Sequence, residues 1–177
     1  MTGVQTCALP IFDVWHYLQQ ASPQDIMSLP EMNYHDNVDM HTQLTKEEKW
    51  LIGFNINGGS AQPKKTTMKF NVWNRTKPVI AENLYKIKHW KIVKGDFRTI
   101  ENVETTWFID PPYQYGGEYY RFNNKSIYYP GLSEWCKTRN GQIIVCENTK
   151  ADWMDFKPLK KMKGILHTTT EAIWTNE

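Results

Sequence analysis

The residues best suited to chemistry form the tetrapeptide Asp110-Pro111-Pro112-Tyr113, which follows the apolar run Trp107-Phe108-Ile109. Proline fixes its own φ near about −65° and confines the preceding residue to extended conformations, so Asp110 and Pro111 are both held extended. Neither proline has an N–H, and the loop therefore presents a carboxylate, backbone carbonyls and one flat aromatic ring. That set of groups suits the binding of an amino group on a planar base.

The surroundings of this tetrapeptide predict where it lies in a fold. A second apolar strand is predicted over residues 142–147, and a helix over residues 132–138 lies between the two strands. A strand–helix–strand unit is typical of parallel α/β sheets, which bind ligands at the carboxyl ends of their strands. An ordinary strand-end turn is the alternative interpretation, because aspartate and proline are both common in turns.

Several segments around the tetrapeptide carry a resemblance to a known family. They are residues 90–97, 106–114, 132–136, 141–148 and 171–174. With these segments the chain, from about Ile11 to its end, resembles the S-adenosylmethionine-dependent amino-methyltransferases that modify adenine N6 in DNA, of the phage and restriction-modification type.

The resemblance implies a catalytic role for each residue of the tetrapeptide. Asp110 and a backbone carbonyl, that of Pro111, would accept the two hydrogens of the adenine amino group, and Pro112 completes the rigid loop. Tyr113 would stack on a base that has left the duplex. An RNA adenine methyltransferase and a non-catalytic, nucleic-acid-binding remnant are the alternative functions.

The resemblance also implies S-adenosylmethionine as the cofactor. Asp96 would approach the amino group of the cofactor's adenine, and Phe97 would pack nearby. The alternative for Asp96 is an ordinary turn acid after Gly95.

The front of the chain departs from the family pattern. Residues 1–11 resemble the translation of a sequencing-library adapter, so we predict an artefact there and exclude them from the fold prediction. No Gly-x-Gly precedes Phe12, and Gly58-Gly59 follows a polar turn rather than a buried strand. We therefore expect an enzyme truncated at its amino terminus, which binds the cofactor weakly and is inactive alone.

The net charge is only +2, but the cations concentrate in residues 64–94, where nine basic residues accompany a single acid, Glu82. Aromatic residues are interleaved with them, which is typical of a nucleic-acid surface. The expected partner is double-stranded DNA, and a solvated charged face is the alternative. The residues assigned to DNA binding are Lys64, Lys65, Lys69, Arg75 and Lys77.

Other classes of partner are not expected. No apolar run is long enough to span a membrane, and the histidines show no metal-ligand spacing. Cys136 and Cys146 are expected to be reduced thiols, which suits the cytoplasm of a bacterial or phage-infected cell.

The predicted fold class is α/β: a partial Rossmann-like methyltransferase sheet of carboxyl-terminal strands with a mostly helical inserted recognition region. After residues 1–11, we predict a helical and basic target-recognition region over residues 12–89 and the carboxyl-terminal part of the catalytic domain over residues 90–177. Capping signals at Ser22 and Thr45 begin two helices.

Finer expectations concern loops and strands. Residues 60–78 are predicted to be an extended loop, and residues 114–130 a mobile lid or DNA-contacting loop. Buried strands are predicted at residues 91–93, 106–109 and 142–146, with an antiparallel edge hairpin over residues 165–174.

Overall fold

The computed structural model describes residues 4–6, 10–57, 62–69, 71–120, 123–163 and 168–177. Within these residues the chain is a mixed α/β protein with five α-helices and two β-sheets. It divides into two compact units, Met1–Phe97 and Arg98–Glu177. The division falls after the strand predicted at residues 91–93, which therefore belongs to the first unit. The roles assigned to the predicted segments stay predictions.

Four helices build the first unit. They are α1 (Ile11–Gln20), α2 (Pro23–Ser28), α3 (Lys46–Asn55) and α4 (Trp73–Asn83). The predicted caps are confirmed: Ser22 and Thr45 each accept a hydrogen bond from the backbone N–H three residues later, and the Asp25 and Glu48 carboxylates accept the backbone N–H of the cap residue.

Helix α4 begins inside residues 60–78, so the predicted extended loop is wrong over its last part. Trp73, Lys77 and Ala81 are buried at four-residue spacing and form one inward face of the helix. The Asn71 side chain accepts the Trp73 N–H at 2.9 Å, which starts the first turn. Polar neighbours hide this spacing in the sequence because they occupy the other faces of α4.

The core of the first unit joins all four helices. Ile26, Ile52 and Trp73 are fully buried within it. Two short strands, β1 (Val4–Thr6) and β2 (Lys91–Val93), pair in parallel. Strand β2 was predicted to be buried, but its Lys91 side chain is exposed and its other two residues are half-buried. Strand β1 lies within residues 1–11, whose origin stays a prediction.

The second unit is built on a four-stranded mixed sheet in the order β3-β4-β6-β5. The strands are β3 (Trp107–Ile109), β4 (Ile143–Asn148), β5 (Lys157–Lys163) and β6 (Thr168–Thr175). Strands β3 and β4 are parallel, and α5 (Tyr129–Lys137) lies between them in the chain, which confirms the predicted strand–helix–strand unit.

Strands β5 and β6 form the antiparallel edge of this sheet, and β6 also pairs with β4. The predicted hairpin over residues 165–174 is confirmed in part, because β6 covers its later half. Its other strand is β5, which lies before the predicted start, and residues 164–167 are outside the described residues.

The two parallel strands differ in burial. Ile143 and Val145 of β4 are almost fully buried, as predicted, whereas Phe108 at the centre of β3 is 67% exposed. The predicted burial of residues 106–109 is therefore wrong, because Thr106 and Phe108 point to a face of the sheet that is open to solvent. Gly141 precedes β4 with a φ of 95°, and a Cβ there would clash with the Thr105 carbonyl. The close approach of these two backbones sets the register of β3 against β4.

Candidate active site

The tetrapeptide lies at the carboxyl end of β3, where the sequence predicted it. Strand β3 ends at Ile109, and Asp110 is the first residue beyond it. The Asp110 side chain is exposed, whereas Pro111, Pro112 and Tyr113 are half-buried. Because β3 and β4 run in the same direction, the tetrapeptide and the carboxyl end of β4 meet at one edge of the sheet.

A buried carboxylate on β4 anchors the chain after the tetrapeptide. Glu147 is 0% exposed, and its Oε1 accepts the Gln114 backbone N–H at 2.6 Å and the Trp153 indole N–H at 3.1 Å. Its Oε2 accepts the Asn148 N–H at 2.9 Å. Burial raises the pKa of Glu147, and these three donors oppose that rise.

The last two residues of the tetrapeptide are also held by hydrogen bonds, Pro112 through its backbone carbonyl and Tyr113 through its hydroxyl. The Tyr129 hydroxyl donates to the Pro112 carbonyl at 2.7 Å, and the Tyr113 hydroxyl donates to Glu171 Oε2 at 2.7 Å. Glu171 lies on β6, so three strands contribute to the site. Burial and the bond to Glu171 raise the pKa of Tyr113. The ring of Tyr113 is therefore fixed at both ends, by its backbone and by its hydroxyl.

Two acceptors at the centre of the site are left open. Within the described part of the chain no donor reaches the Asp110 carboxylate or the Pro111 carbonyl, although the Pro112 carbonyl beside them is occupied. Desolvation, and then the nearby charge of Glu171, raise the pKa of Asp110. The exposed face of this carboxylate limits the rise, so the group is accessible and only partly desolvated.

The cysteines of this unit are not activated nucleophiles. Burial raises the pKa of Cys146 to about 11, and the charges of Asp110 and Glu171 act in the same direction. Burial also raises the pKa of Cys136 to about 12. Both thiols are free, as predicted, and a protonated thiol is a poor nucleophile.

The predicted lid, residues 114–130, is fixed at its base. Asn124 Nδ2 donates to the Gln114 carbonyl at 2.8 Å, and Asn148 Nδ2 donates to the Tyr115 carbonyl at 2.6 Å. Tyr115 and Tyr128 are nevertheless exposed, the latter by 76%. Aromatic rings therefore lie open to solvent in the segment that follows the tetrapeptide, while residues 121 and 122 are outside the described residues.

The two residues assigned to the cofactor belong to the first unit. Asp96 follows β2 and its side chain is exposed, and Phe97 is half-buried at the start of a 3₁₀ turn. These are a carboxylate and an aromatic ring of the types that hold an adenine. Residues 7–10 contain no glycine, so this part of the sequence lacks the glycine-rich turn that the resemblance implies for the cofactor's methionine end.

The residues predicted to bind DNA separate into two groups. Lys64, Lys65, Lys69 and Arg75 are exposed, and Lys65 forms an ion pair of 2.7 Å with Asp39. Lys77 is only 6% exposed and donates to the Leu29 carbonyl at 3.0 Å. Its assignment to a DNA-binding surface is therefore corrected: the inward face of α4 carries Lys77 into the core. Gly58, Gly59 and Phe70 lie outside the described residues.

A cationic cavity gathers lysines that the sequence did not group together. Its volume is about 320 Å³. Lys46 and Lys49 of α3 line it together with Lys64 and Lys65. The Trp50 ring forms part of its wall, and the Lys46 ammonium lies 4.6 Å from the ring centroid. Asp39 also lines the cavity and pairs with Lys65, and Lys46 pairs with Asp13 and Glu47 at 3.4 Å. The lysines of the cavity suit a phosphate-bearing ligand, but two of the four already have acidic partners.

Three residues of the site have no role in the sequence-based prediction: Glu147, Tyr129 and Glu171. Glu147 ends an apolar strand, and a charge at that position is a usable signal because such a residue needs a partner when it is buried. The roles of Tyr129 and Glu171 depend on long-range pairing and carry no local signal.

Metal-ligand groups, membrane-spanning helices and family relationships assign no further function to the chain. Among the described residues no three histidine, cysteine, aspartate or glutamate side chains are grouped as a metal ion requires. None of the helices in that part of the chain has the length and apolar character needed to cross a bilayer. No protein-family model matches the chain, and no curated protein matches it.

Proposed function

We propose that this chain carries the base-binding site of an adenine-N6 DNA methyltransferase that uses S-adenosylmethionine. The observation that supports it best is the pair of open acceptors, Asp110 and the Pro111 carbonyl, in a loop whose neighbouring polar groups are engaged. The mixed sheet, with the loop at the carboxyl end of a parallel strand, is compatible with the Rossmann-like architecture that this function implies.

The open acceptors match the two hydrogens of an exocyclic amino group. The nitrogen of adenine N6 is a weak nucleophile because its lone pair is delocalised into the ring. Hydrogen bonds from both N–H groups to Asp110 and Pro111 favour a pyramidal nitrogen and orient its lone pair away from the loop. The Asp110 carboxylate also stabilises the positive charge that develops on nitrogen, and its partial desolvation strengthens that interaction.

Tyr113 supplies the face on which the base stacks. The target base must leave the duplex to reach the loop, and stacking on an aromatic ring offsets part of that cost, by about 1–3 kcal/mol. The hydrogen bond to Glu171 holds the ring before the base arrives, so little side-chain entropy is lost on binding. The exposed Tyr115 and Tyr128 rings are further candidates for contact with the displaced strand.

The cofactor supplies an electrophilic methyl group when it is bound. We assign its adenine to Asp96 and Phe97, whose carboxylate and ring provide an acceptor for the amino hydrogens and an apolar contact. The DNA is assigned to Lys64, Lys65, Lys69 and Arg75, with Lys46 and Lys49 added from the cationic cavity. Such a protein would act in the cytoplasm, where both DNA and the cofactor are present.

Methyl transfer with protein in excess and with the cofactor at high concentration, which compensates for weak cofactor binding, tests the proposal. Duplex DNA and labelled S-adenosylmethionine are incubated with the chain, and N6-methyladenine is measured by mass spectrometry. We expect Asp110→Ala to lower the yield on the order of 10²-fold, as for other removed transition-state contacts. Asp155→Ala is the matched control, because it removes an exposed acid of the same unit. Equal yields from wild type and Asp110→Ala would show that the site is wrongly assigned.

The same protein and nucleic acids distinguish two further candidate functions. The cationic cavity does not depend on the tetrapeptide, which favours a non-catalytic nucleic-acid-binding protein as the second candidate. Salt-dependent DNA binding without any methyl transfer would support that candidate. Transfer to RNA adenine in preference to DNA adenine would identify an RNA methyltransferase instead.

A further inference from the structure

The edge strand β5 carries an unusual concentration of exposed cations. All seven residues of Lys157–Lys163 are exposed, and four of them are lysines with no acid among them. The second unit as a whole is balanced, with ten basic and ten acidic residues. The positive charge is therefore local to this strand, and it lies outside the basic segment of residues 64–94.

The pairing of β5 with β6 sorts these lysines onto two faces. Lys161 lies opposite Thr170 and Lys163 lies opposite Thr168, and directly paired residues point to the same face of a sheet. That face of the distal hairpin, which we call the Lys/Thr face, consists of Lys161, Lys163, Thr168 and Thr170. The opposite face carries Lys160 directly across from Glu171, and Met162.

The lysine ammonium and threonine hydroxyl groups of the Lys/Thr face can donate hydrogen bonds to phosphate oxygens. Among the described residues no acid pairs with Lys161 or Lys163, whereas Lys157 forms an ion pair of 2.6 Å with Asp155. Lysine ammonium and threonine hydroxyl groups are both common phosphate contacts in protein–DNA complexes. Residues two apart on a strand are separated by about 6.8 Å, which equals about two nucleotide rises of a DNA strand.

Protection of an edge strand explains only part of this arrangement. Lysines on an exposed edge discourage pairing with other chains. The threonines, however, lie on β6, which is an inner strand between β4 and β5 and needs no such protection. The face is therefore better explained by a ligand that both strands contact.

We infer that the Lys/Thr face binds the phosphate backbone of duplex DNA. The major groove of B-DNA admits a two-stranded β-ribbon, so the hairpin has the required form. Glu171 follows Thr170 on β6 and therefore points to the opposite face of the sheet, where it accepts the Tyr113 hydroxyl at 2.7 Å, so the Lys/Thr face is a contact separate from the tetrapeptide. The identity of the partner as DNA rests on the proposed function, but the contact itself requires no methyl transfer.

Salt-dependent DNA binding by the full chain, measured without cofactor, tests this inference. Lys161→Gln/Lys163→Gln is compared with Lys137→Gln/Lys150→Gln, which removes two other exposed lysines of the same unit. Two lost phosphate contacts lower the magnitude of the slope of log K against log salt by about 1.8, and affinity at about 50 mM salt by about tenfold. The control pair should leave the slope within about 0.5 of wild type.

Single substitutions and a second ligand complete the test. Lys160→Gln should weaken binding less than Lys163→Gln, because Glu171 lies opposite Lys160. An unchanged slope in the Lys161/Lys163 pair, or an equal loss in the control pair, would overturn the inference. Tighter binding to phosphatidylserine vesicles than to DNA would overturn it as well. If the Lys161/Lys163 pair shows the expected change in the slope of log K against log salt but the chain transfers no methyl group, this inference stands and the proposed reaction fails.

Discussion

The lysines of the first unit and the acceptors of the second differ in whether the fold already uses them. Lys77 donates to the Leu29 carbonyl, and Lys88 donates to the Gln19 and Ala21 carbonyls at 2.6 and 2.7 Å. These ammonium groups complete the hydrogen bonding of the helical core. Some lysines of the basic segment, residues 64–94, are therefore already used by hydrogen bonds within the fold.

The second unit shows the opposite arrangement around its tetrapeptide. Asp110 and Pro111 keep open acceptors, and Lys161 and Lys163 have no acidic partner among the described residues. Groups that a fold leaves unsatisfied at its surface are the ones available to a ligand. The comparison therefore locates candidate function by what remains unpaired rather than by residue type.

The largest effect should come from removing an internally used lysine. Lys77→Met keeps most of the apolar stem but leaves the Leu29 carbonyl without its donor, so we expect the free energy of unfolding to fall by about 1–3 kcal/mol. Urea denaturation measures this change. Arg75→Met on the exposed side of the same helix is the control, expected to lie within about 0.5 kcal/mol of wild type. Equal losses would mean that Lys77 is not distinguished by burial.

A second prediction concerns the buried carboxylate that fixes the tetrapeptide loop. In Glu147→Gln an amide N–H₂ replaces one acceptor oxygen and opposes one of the three N–H donors, at a cost of about 1–3 kcal/mol. We expect faster hydrogen exchange at the Gln114 N–H, because its bond is 2.6 Å long in the wild type. Glu134→Gln, at an exposed acid on α5, should leave that exchange unchanged. Unaltered protection of Gln114 in Glu147→Gln would contradict the anchoring role.

Lys77 and Asp110 illustrate which features can be predicted from the sequence and which cannot. The strand–helix–strand unit, the position of Asp110 and both capping boxes follow from local patterns: apolar runs, proline stiffness and the spacing of cap residues. The burial of Lys77 does not, because a lysine reads as a surface residue unless its helical face is known. Its four-residue spacing from Trp73 and Ala81 is the one signal that was available.

Long-range pairing accounts for the remaining differences. Glu171 reaches Tyr113 only because β6 pairs with β4 and not with β3, and no local feature of the sequence fixes that order. The Lys/Thr face likewise exists only once β5 and β6 are in register, and the sequence predicts no strand at residues 157–163. Strand order and register therefore determine which reactive residues come together in one site.

A smaller effect is expected from a substitution that removes the charge of Glu171 but keeps its hydrogen bond. Glu171→Gln keeps an acceptor for the Tyr113 hydroxyl but removes the negative charge that helps to raise the pKa of Asp110. The pKa of Asp110 should therefore fall toward its ordinary value, and base binding should persist to lower pH. A carbon-13 NMR titration of the Asp110 carboxyl measures this, with Glu134→Gln as the control. An unchanged titration midpoint would mean that burial alone raises this pKa.

The smallest expected effect tests whether the open acceptor destabilises the fold. The pKa of Asp110 is raised in the folded protein, so the folded state binds its proton more tightly than the unfolded chain does. Stability is therefore lost as pH rises from the ordinary aspartate pKa through the raised value, and the loss is complete once the pH exceeds the raised pKa. Asp110→Asn removes the charge, so its melting temperature should exceed that of wild type near neutral pH.

The pH dependence of that difference distinguishes a charge effect from a packing effect. Below the ordinary pKa of aspartate the wild-type carboxyl is protonated in both states, and the gain from Asp110→Asn should vanish. Asp155→Asn, at an exposed acid, should show no such gain at neutral pH, since Asp155 pairs with the exposed Lys157. A melting temperature for Asp110→Asn below that of wild type near neutral pH would show that the carboxylate stabilises the fold. Asp110 would then belong with Lys77, among groups that the structure uses for itself.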